Sequence, residues 1–389
     1  MRNGCSDHRS PDSIGRVSRF ISYSRVRSLL SSLLAIPSPS GQESNLLEFI
    51  EKYLTQFNVS VSRQHLSDGR YNLVACNGGT GDRGILLNSH VDTVPGAGDP
   101  TRQASLRRHV VFGRGSCDAK GSVAAMLLAF VATRIIAPDL RTPVTLALAV
   151  GEENSGDGIE RFVRSGRRFS FAIVGEPTDL RIATTQAGYI EVLIEATAKS
   201  CHAFDPIADQ AIMVIVDVVK EIDRRLRSLG YTSVHMFVRW LRGGEDDTFW
   251  YTRPKCAVSL LVNTFPDSRI RTFMKTINRI AATASRRSRG AVLKVRLQDW
   301  DTGVRTSQNF WGVKQLSSSL SLLGKRASVS HFSCWTDGSS LAAARIPTVI
   351  FGPGSLRDAH TNREQVDVRD VKTAAMTIAL SILSRRGNS

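Results

Sequence analysis

Short apolar runs alternate with longer amphipathic segments along this chain. The apolar runs with the length and composition of buried strands are 85–87, 144–150, 171–174 and 348–351. Segments 46–57 and 121–137 instead repeat apolar residues at helical spacing. Because strands that alternate with helices build parallel sheets covered by helices, the pattern predicts an α/β fold with a largely parallel central sheet.

Acidic and histidine residues follow each of the four apolar runs, and one more acidic residue lies in a glycine-rich loop before segment 121–137. These residues are His90, Asp92, Asp118, Glu152, Glu153, Glu176 and His360. The carboxyl ends of parallel strands meet at one edge of a sheet, where active sites form. Each residue alone would be read as a helix cap or a solvated side chain. Together the carboxylates would repel unless a cation neutralised them, and the mixed N/O set suits zinc, cobalt or manganese.

The pattern changes after residue 188. An alternating strand, an amphipathic helix, two strands, a second helix and a final strand follow, up to about residue 300. This β-α-β-β-α-β order is that of a ferredoxin-like unit. The sequence therefore predicts an inserted domain over 189–300, with a discontinuous catalytic domain over 24–188 and 301–389. The Arg- and Ser-rich residues 1–23 are predicted to be a disordered extension.

Composition narrows the function classes. No apolar run reaches the roughly 20 residues of a membrane span, and the six cysteines contain no Cys-x-x-Cys pair. Scattered cysteines of this kind favour reduced thiols and a cytoplasmic protein. The net charge of +16 invites a nucleic-acid function, but the basic residues are spread along the chain and accompany no nucleic-acid-binding motif. A basic pocket for an anionic small substrate is the simpler use of that charge.

Five motifs, in this order, carry a family resemblance. They are "SHVDTVP", "GRGSCDAKG", "GEEN", "GEPT" and "IPTVIFGPG…AHT". The set resembles the co-catalytic dizinc metallopeptidases and amidohydrolases, which include acetylornithine deacetylase, succinyl-diaminopimelate desuccinylase, aminoacylases and related carboxypeptidases. The likeness extends from about residue 26 to about residue 383. It implies a zinc-peptidase-like α/β/α catalytic domain and an inserted ferredoxin-like domain that serves as lid and dimer interface.

The resemblance also implies a role for each residue at the strand ends. Asp118 would bridge two divalent ions, with His90 and Glu176 on one ion and Glu153 and His360 on the other. Zinc is expected, with cobalt or manganese as alternatives. Asp92 would accept the second ring N–H of His90, and Glu152 would be the general base. A cis peptide bond after Asp118 is implied as well.

The resemblance assigns further roles to the inserted domain. His202, in "AKSCHAF", would donate to the oxyanion, often from the partner subunit of a homodimer; a plain surface histidine is the alternative. Tyr251 and Asn263 stand where relatives acting on acyl amino acids carry an Asn and an Arg for the substrate carboxylate. Arg253 or Arg269 could substitute as the arginine that binds the carboxylate.

The expected activity is hydrolysis of a C–N amide bond in a small N-acylated amino acid or amine. Two alternatives are a dipeptidase or carboxypeptidase, and a non-catalytic relative that binds a small molecule in the same cleft. Thiol catalysis by Cys117 or Cys201 is disfavoured, because metal chemistry explains their neighbourhood. The nearby Ser, His331 and Asp337 of "SHFSCWTDGSS" look like a hydrolase triad, but sequence proximity is not triad geometry.

Overall fold

The computed structural model describes residues 11–78, 83–95, 105–202, 204–205, 210–228, 235–244, 250–264 and 270–384. The chain divides into two compact units. One unit combines Met1–Thr185, Val304–Phe332 and Thr336–Ser389, and the other combines Gln186–Gly303 with Ser333–Trp335. The predicted insertion, 189–300, lies inside the second unit.

Helices and strands alternate through much of the described chain. The helices are α1 (Pro11–Phe20), α2 (Tyr23–Leu34), α3 (Ser44–Thr55), α4 (Lys120–Ile136), α5 (Asp157–Val163), α6 (Ala211–Ser228), α7 (Ile270–Arg287), α8 (Trp311–Leu322), α9 (Gly338–Ala343) and α10 (Val368–Leu383). The strands are β1 (Val61–His65), β2 (Tyr71–Asn77), β3 (Gly84–His90), β4 (Ser105–Arg107), β5 (Val110–Phe112), β6 (Val144–Ala149), β7 (Phe169–Val174), β8 (Ile182–Gln186), β9 (Gly188–Thr197), β10 (Met236–Gly243), β11 (Lys255–Thr264), β12 (Val292–Asp301), β13 (Val304–Arg305), β14 (Val329–Phe332), β15 (Thr348–Ile350) and β16 (Gln365–Asp367).

The first unit is built on a mixed sheet of order β1-β2-β6-β3-β7-β15-β8-β13, with β14 paired to β8. The four predicted apolar runs are its neighbouring strands β6, β3, β7 and β15, and these pair in parallel. Their register brings their carboxyl ends to one edge, since His90 lies opposite Ala149 and Asn88 lies opposite Val174. The prediction of a largely parallel centre is confirmed.

Alternate side chains of these strands enter two apolar clusters. Ile85 and Leu87 join one cluster together with α2, α4, α8 and α10, whereas Leu86 joins the other together with α5 and α9. Helix α4 is buried along almost its whole length, which explains why segment 121–137 is apolar on every side. The result is the α/β/α layering that the sequence predicted.

Helix α1 contradicts the expected disorder of residues 1–23. Val17 and Ile21 are fully buried in the larger cluster, and Ile14 packs against it. These residues recur at helical spacing among Arg and Ser, so that α1 packs against α4 and α10. The prediction is therefore wrong for residues 11–23, because a narrow apolar stripe outweighs the polar composition. Residues 1–10 lie outside the described part of the chain.

The second unit is an antiparallel sheet of order β10-β11-β9-β12 packed on α6 and α7. Alternate residues of β9, such as Ile190, Val192 and Ile194, are fully buried against the helices. The element order and the sheet order together are those of a ferredoxin-like unit, as predicted. No helix among the described residues has the length and apolar character needed to cross a bilayer.

Candidate metal centre

The seven strand-end residues lie at the carboxyl edge of the parallel strands. His90 is the last residue of β3, Glu152 and Glu153 follow β6, and Glu176 follows β7. His360 lies in the loop between β15 and β16, and its backbone adopts a left-handed conformation with φ of 61°. The residue that begins the loop into α4 is Asp118, whose peptide bond to Ala119 is cis, as the resemblance implied.

Five side chains form one contiguous cluster around Asp118. Its Oδ1 lies 3.1 Å from Nε2 of His90, and its Oδ2 lies 3.3 Å from Nε2 of His360. Nε2 of His360 also lies 3.0 Å from the carboxylate of Glu153. On the other side, Nε2 of His90 lies 3.7 Å from Oε1 of Glu176. The two oxygens of one carboxylate thus face two separate groups of donors.

These donors fit a bound metal ion. One ligand atom each from His90, Asp118 and Glu153 lies within 4.8 Å of the others. Two donors on one tetrahedral zinc ion are about 3.4 Å apart when each bond is about 2.1 Å, close to the separations seen here. Oε1 of Glu176 is buried and has no hydrogen-bond partner among the described residues, as expected for an atom placed to bind something else.

Nearby protein cations do not neutralise the cluster. Nζ of Lys120 donates to the carbonyl oxygens of Leu33 and Ile36, at 3.2 and 2.7 Å. The guanidinium of Arg114 pairs with Glu364 at 2.7 Å. The negative charge at the edge is therefore left for a bound cation or for protons to balance.

The pKa values of the clustered side chains reflect this excess of negative charge. Burial raises the pKa of Glu176 to about 8 and also raises the pKa of Glu152 above its usual range. Hydrogen bonds to Asp118 and Glu153 raise the pKa of His360 to about 10. Burial opposes ionisation of Asp118, but hydrogen bonds from His360 and His90 hold its pKa below the usual value. Protons and a divalent cation therefore compete for these side chains.

Asp92 contacts His90 and the loop after β6. The Nδ1 atom of His90 lies 3.0 Å from the main-chain oxygen of Asp92 and 3.5 Å from its carboxylate. The buried carboxylate also accepts from the main-chain N–H groups of Glu152 and Glu153, both at 3.1 Å, and from Ser40 at 2.7 Å. Asp92 therefore holds the loop after β6 against the end of β3.

Glu152 and Glu153 are neighbours with different surroundings. The carboxylate of Glu153 contacts His360. Glu152 lies in the field of His90, Glu176 and Asp337, but the described contacts give its carboxylate no direct ligand partner. Adjacent residues of one loop thus offer one donor to the cluster and one carboxylate beside it.

The predicted substrate and oxyanion residues lie in the second unit. His202 and Tyr251 form a β-bridge, and the guanidinium of Arg253 lies 4.2 Å from the centre of the Tyr251 ring. The amide of Asn263 is engaged by main-chain atoms of Ser333 and His235 within the same unit. Arg269 lies outside the described residues. The structure pairs the main chains of His202 and Tyr251 and places Arg253 over the Tyr251 ring, whereas the Asn263 amide is engaged by main-chain atoms.

The alternative nucleophiles gain no support from their surroundings. Burial raises the pKa of the Cys117 thiol far above its usual value, which keeps it unreactive. Nδ1 of His331 lies 3.1 Å from the hydroxyl of Thr185, and burial lowers the pKa of its imidazole. Asp337 is buried near His90 instead, and burial raises the pKa of its carboxyl to about 7. The five cysteines among the described residues are free, as predicted.

Three residues of the centre were not singled out from the sequence. Glu364 accepts from the main-chain N–H of Asp118, Lys120 holds the start of α4 to the end of α2, and Ser40 donates to Asp92. For Glu364 and Lys120 the available signal was their nearness to motif residues, four places after His360 and two after Asp118. It did not reveal what they contact.

Comparisons with known proteins agree with this geometry. The sequence profile of peptidase family M20/M25/M40 matches residues 86–384. A putative LysW-lysine/LysW-ornithine hydrolase of Pyrobaculum aerophilum is 29% identical, over 92% of this chain and 96% of its own. A probable carboxypeptidase of Aspergillus clavatus is 33% identical over 52% of each chain. In fold, a dinuclear metal-binding peptidase of the M20 family from Bacillus subtilis matches 94% of this chain and 98% of its own, with a TM-score of 0.71 at 15% identity.

Proposed function

Because the chain belongs to peptidase family M20/M25/M40, we propose that it is a two-metal amidohydrolase that cleaves the C–N amide bond of a small N-acylated amino acid or amine. The observation that carries this proposal is the Asp118 carboxylate. One of its oxygens faces His90 and the other faces His360, as a ligand shared by two ions requires. The five ligands fit zinc, with cobalt or manganese as alternatives.

Bound at this edge, the ion pair would lower the pKa of a water molecule and polarise the scissile carbonyl. Glu152 accepts the proton of the attacking water on its carboxylate and returns it to the leaving amine nitrogen. Burial raises the pKa of Glu152 above its usual range, which makes its carboxylate a stronger proton acceptor. Asp92 orients the loop that carries Glu152, through the N–H of that residue.

In this proposal His202 keeps the role that the family resemblance implies, and substrate binding is assigned to Arg253. His202 donates to the developing oxyanion, and Arg253 binds an anionic group of the substrate. Support for Arg253 comes from its place over the Tyr251 ring, since a cation–π contact limits the conformations of the guanidinium before substrate arrives. The β-bridge between His202 and Tyr251 joins the chain segment of His202 to the segment that carries Tyr251 and Arg253.

The protein acts as a homodimer in this proposal. Strand β10 lies at the edge of its sheet with Phe237, Val238 and Leu241 exposed by 63, 40 and 42%. An exposed apolar edge strand invites pairing with another strand, and a second copy of β10 would supply one across a two-fold axis. The free cysteines favour a reducing compartment, and we place the protein in the cytoplasm on that basis.

A carboxypeptidase or dipeptidase activity is the second candidate. It is favoured by the names of relatives, since the Aspergillus clavatus protein is described as a carboxypeptidase. Both activities use the same bond chemistry and differ in what lies on each side of the amide.

A panel of substrates tests the proposal. Wild-type protein is stripped with a chelator, reloaded with zinc, cobalt or manganese, and offered N-acetyl and N-succinyl amino acids and dipeptides. We expect metal-dependent release of amine from the acyl amino acids. Hydrolysis confined to dipeptides would favour the second candidate, and no metal-dependent hydrolysis in the whole panel would contradict the first.

A further inference from the structure

A buried glutamate ends the segment that carries His360. Glu364 is 3% exposed. Its Oε1 accepts from the main-chain N–H groups of Cys117 and Asp118, both at 3.2 Å, and its Oε2 pairs with Arg114 at 2.7 Å. One carboxylate thus receives three donors from the loop that carries Asp118.

These contacts continue a backbone ladder between the same two segments. Strand β16 pairs antiparallel with β5, and the N–H of Gly113 donates to the carbonyl of Glu364 at 3.0 Å. The ladder stops there because the chain turns toward Asp118. From this point the side chain of Glu364 replaces the backbone as the acceptor, across 246 residues of sequence.

The position of the donors decides what the contact does. An N–H of Asp118 held by a buried carboxylate fixes the main chain from which the Asp118 side chain projects, and that side chain must face His90 and His360 with one oxygen each. The two N–H groups also satisfy the oxygen of the buried carboxylate that Arg114 does not contact.

We propose that Glu364 is a positioning residue of the metal centre, which holds the Asp118 loop and the His360 loop in the register that binds two cations. This inference rests on the proposed two-metal function. Hydrogen-bonded partners that orient a metal ligand are worth about tenfold to hundredfold in affinity, so that removal of Glu364 weakens metal binding by that factor before any effect on turnover is considered.

The chain offers a matched control in the mixed sheet of the first unit, at the edge opposite to the metal centre. Asn77 is 4% exposed, donates to the carbonyl of Phe130 at 3.1 Å and accepts from Arg134 at 3.2 Å. It pairs with Val144, at the start of β6, whereas Glu152 follows the end of that strand. Asn77→Ala removes a buried polar contact without touching a ligand loop.

The experiment measures zinc affinity by competition with a chromophoric chelator, together with the Tm of the metal-free protein. We expect Glu364→Ala to bind zinc about tenfold to hundredfold more weakly than wild type. Glu364→Gln keeps one acceptor oxygen and should stay within about fivefold, because neutral hydrogen bonds are weaker but still oriented. Asn77→Ala should lower the Tm and leave zinc affinity unchanged.

Two results would overturn the proposal: wild-type zinc affinity in Glu364→Ala, or an equal loss of affinity in Asn77→Ala. If Glu364→Ala does not fold, Glu364→Asp is tested in its place. Its side chain is shorter by one methylene, so it keeps its charge for Arg114 but no longer reaches both N–H groups. Unchanged zinc affinity in Glu364→Asp would also overturn the proposal. If wild-type protein binds no zinc, it is the two-metal function that fails.

Discussion

In the proposed mechanism the adjacent residues Glu152 and Glu153 have separate roles, Glu152 in proton transfer and Glu153 in metal binding. Both main-chain N–H groups are held by Asp92 at 3.1 Å, so that a side-chain change at either position leaves the loop anchored. The carboxylate of Glu153 contacts His360, whereas that of Glu152 lies beside the cluster. We predict that Glu152→Gln keeps its metals and loses turnover, and that Glu153→Ala loses metal first.

The magnitude follows from the role assigned to each carboxylate. A positioned general acid–base group contributes about 10²- to 10⁴-fold to kcat, which is about 2.7–5.4 kcal/mol at about 1.36 kcal/mol for each factor of ten. Gln has the shape of Glu and no exchangeable acid proton. Because burial already disfavours the charged form of Glu152, its replacement by a neutral amide should not lower the free energy of unfolding.

The assay combines three measurements on wild type, Glu152→Gln and Glu153→Ala. Metal content is determined by mass spectrometry after dialysis, kcat and KM are measured on the best substrate of the panel, and unfolding is followed in urea. For Glu152→Gln we expect full metal content, a lower kcat and little change in KM. For Glu153→Ala we expect lower metal content, with activity partly restored by excess zinc.

One outcome refutes the assignment. A Glu152→Gln enzyme with full metal content and a kcat within tenfold of wild type would mean that another group moves the proton. Loss of metal in Glu152→Gln equal to that in Glu153→Ala would instead make Glu152 a ligand, and the distinction between the two residues would disappear.

Metal affinity should rise with pH, because burial raises the pKa of Glu176 to about 8 and hydrogen bonds raise that of His360 to about 10. Below those values a cation must displace protons, so calorimetry in buffers of different ionisation enthalpy should detect proton release near pH 7, and pH-independent affinity would contradict this. Leu241→Lys, on the edge strand β10, should give a monomer by light scattering, whereas an unchanged dimer would move the interface elsewhere. Ile21→Ala should cost about 2–4 kcal/mol of unfolding free energy, since the side chain is fully buried, and a cost near zero in urea would mean that α1 is not part of the core. Arg253→Ala should raise KM for substrates with a free carboxylate but not for their amide analogues; an equal effect on both would exclude carboxylate recognition.

The local hydrophobic pattern was sufficient to predict the strands whose buried faces are apolar. The runs that became β3, β6, β7 and β15 are apolar on both faces because helices cover both sides of the sheet, and that requirement is visible residue by residue. The same holds for the alternation of β9, which has one buried face. The gathering of acidic and histidine side chains at one place could be anticipated because parallel strands must end at a common edge.

The local pattern was not sufficient where the structure of a segment depends on contacts with residues far away in the sequence. Helix α1 looked disordered because Arg and Ser dominate it, and only its packing on α4 and α10 shows that Val17 and Ile21 belong to the core. The contact of Asp92 with His90 was predicted, but its contacts with the N–H groups of Glu152 and Glu153 were not, because they depend on the register of β3 beside β6.

The sequence by itself determined the types of element, the edge at which the chemistry gathers and the donor atoms available there, because these depend on side-chain chemistry and short-range periodicity. Only the tertiary structure decided which carboxylate binds and which orients. Glu364 reaches the N–H of Asp118 across 246 residues, and a hydrogen bond depends on tenths of an ångström between segments that no local pattern relates.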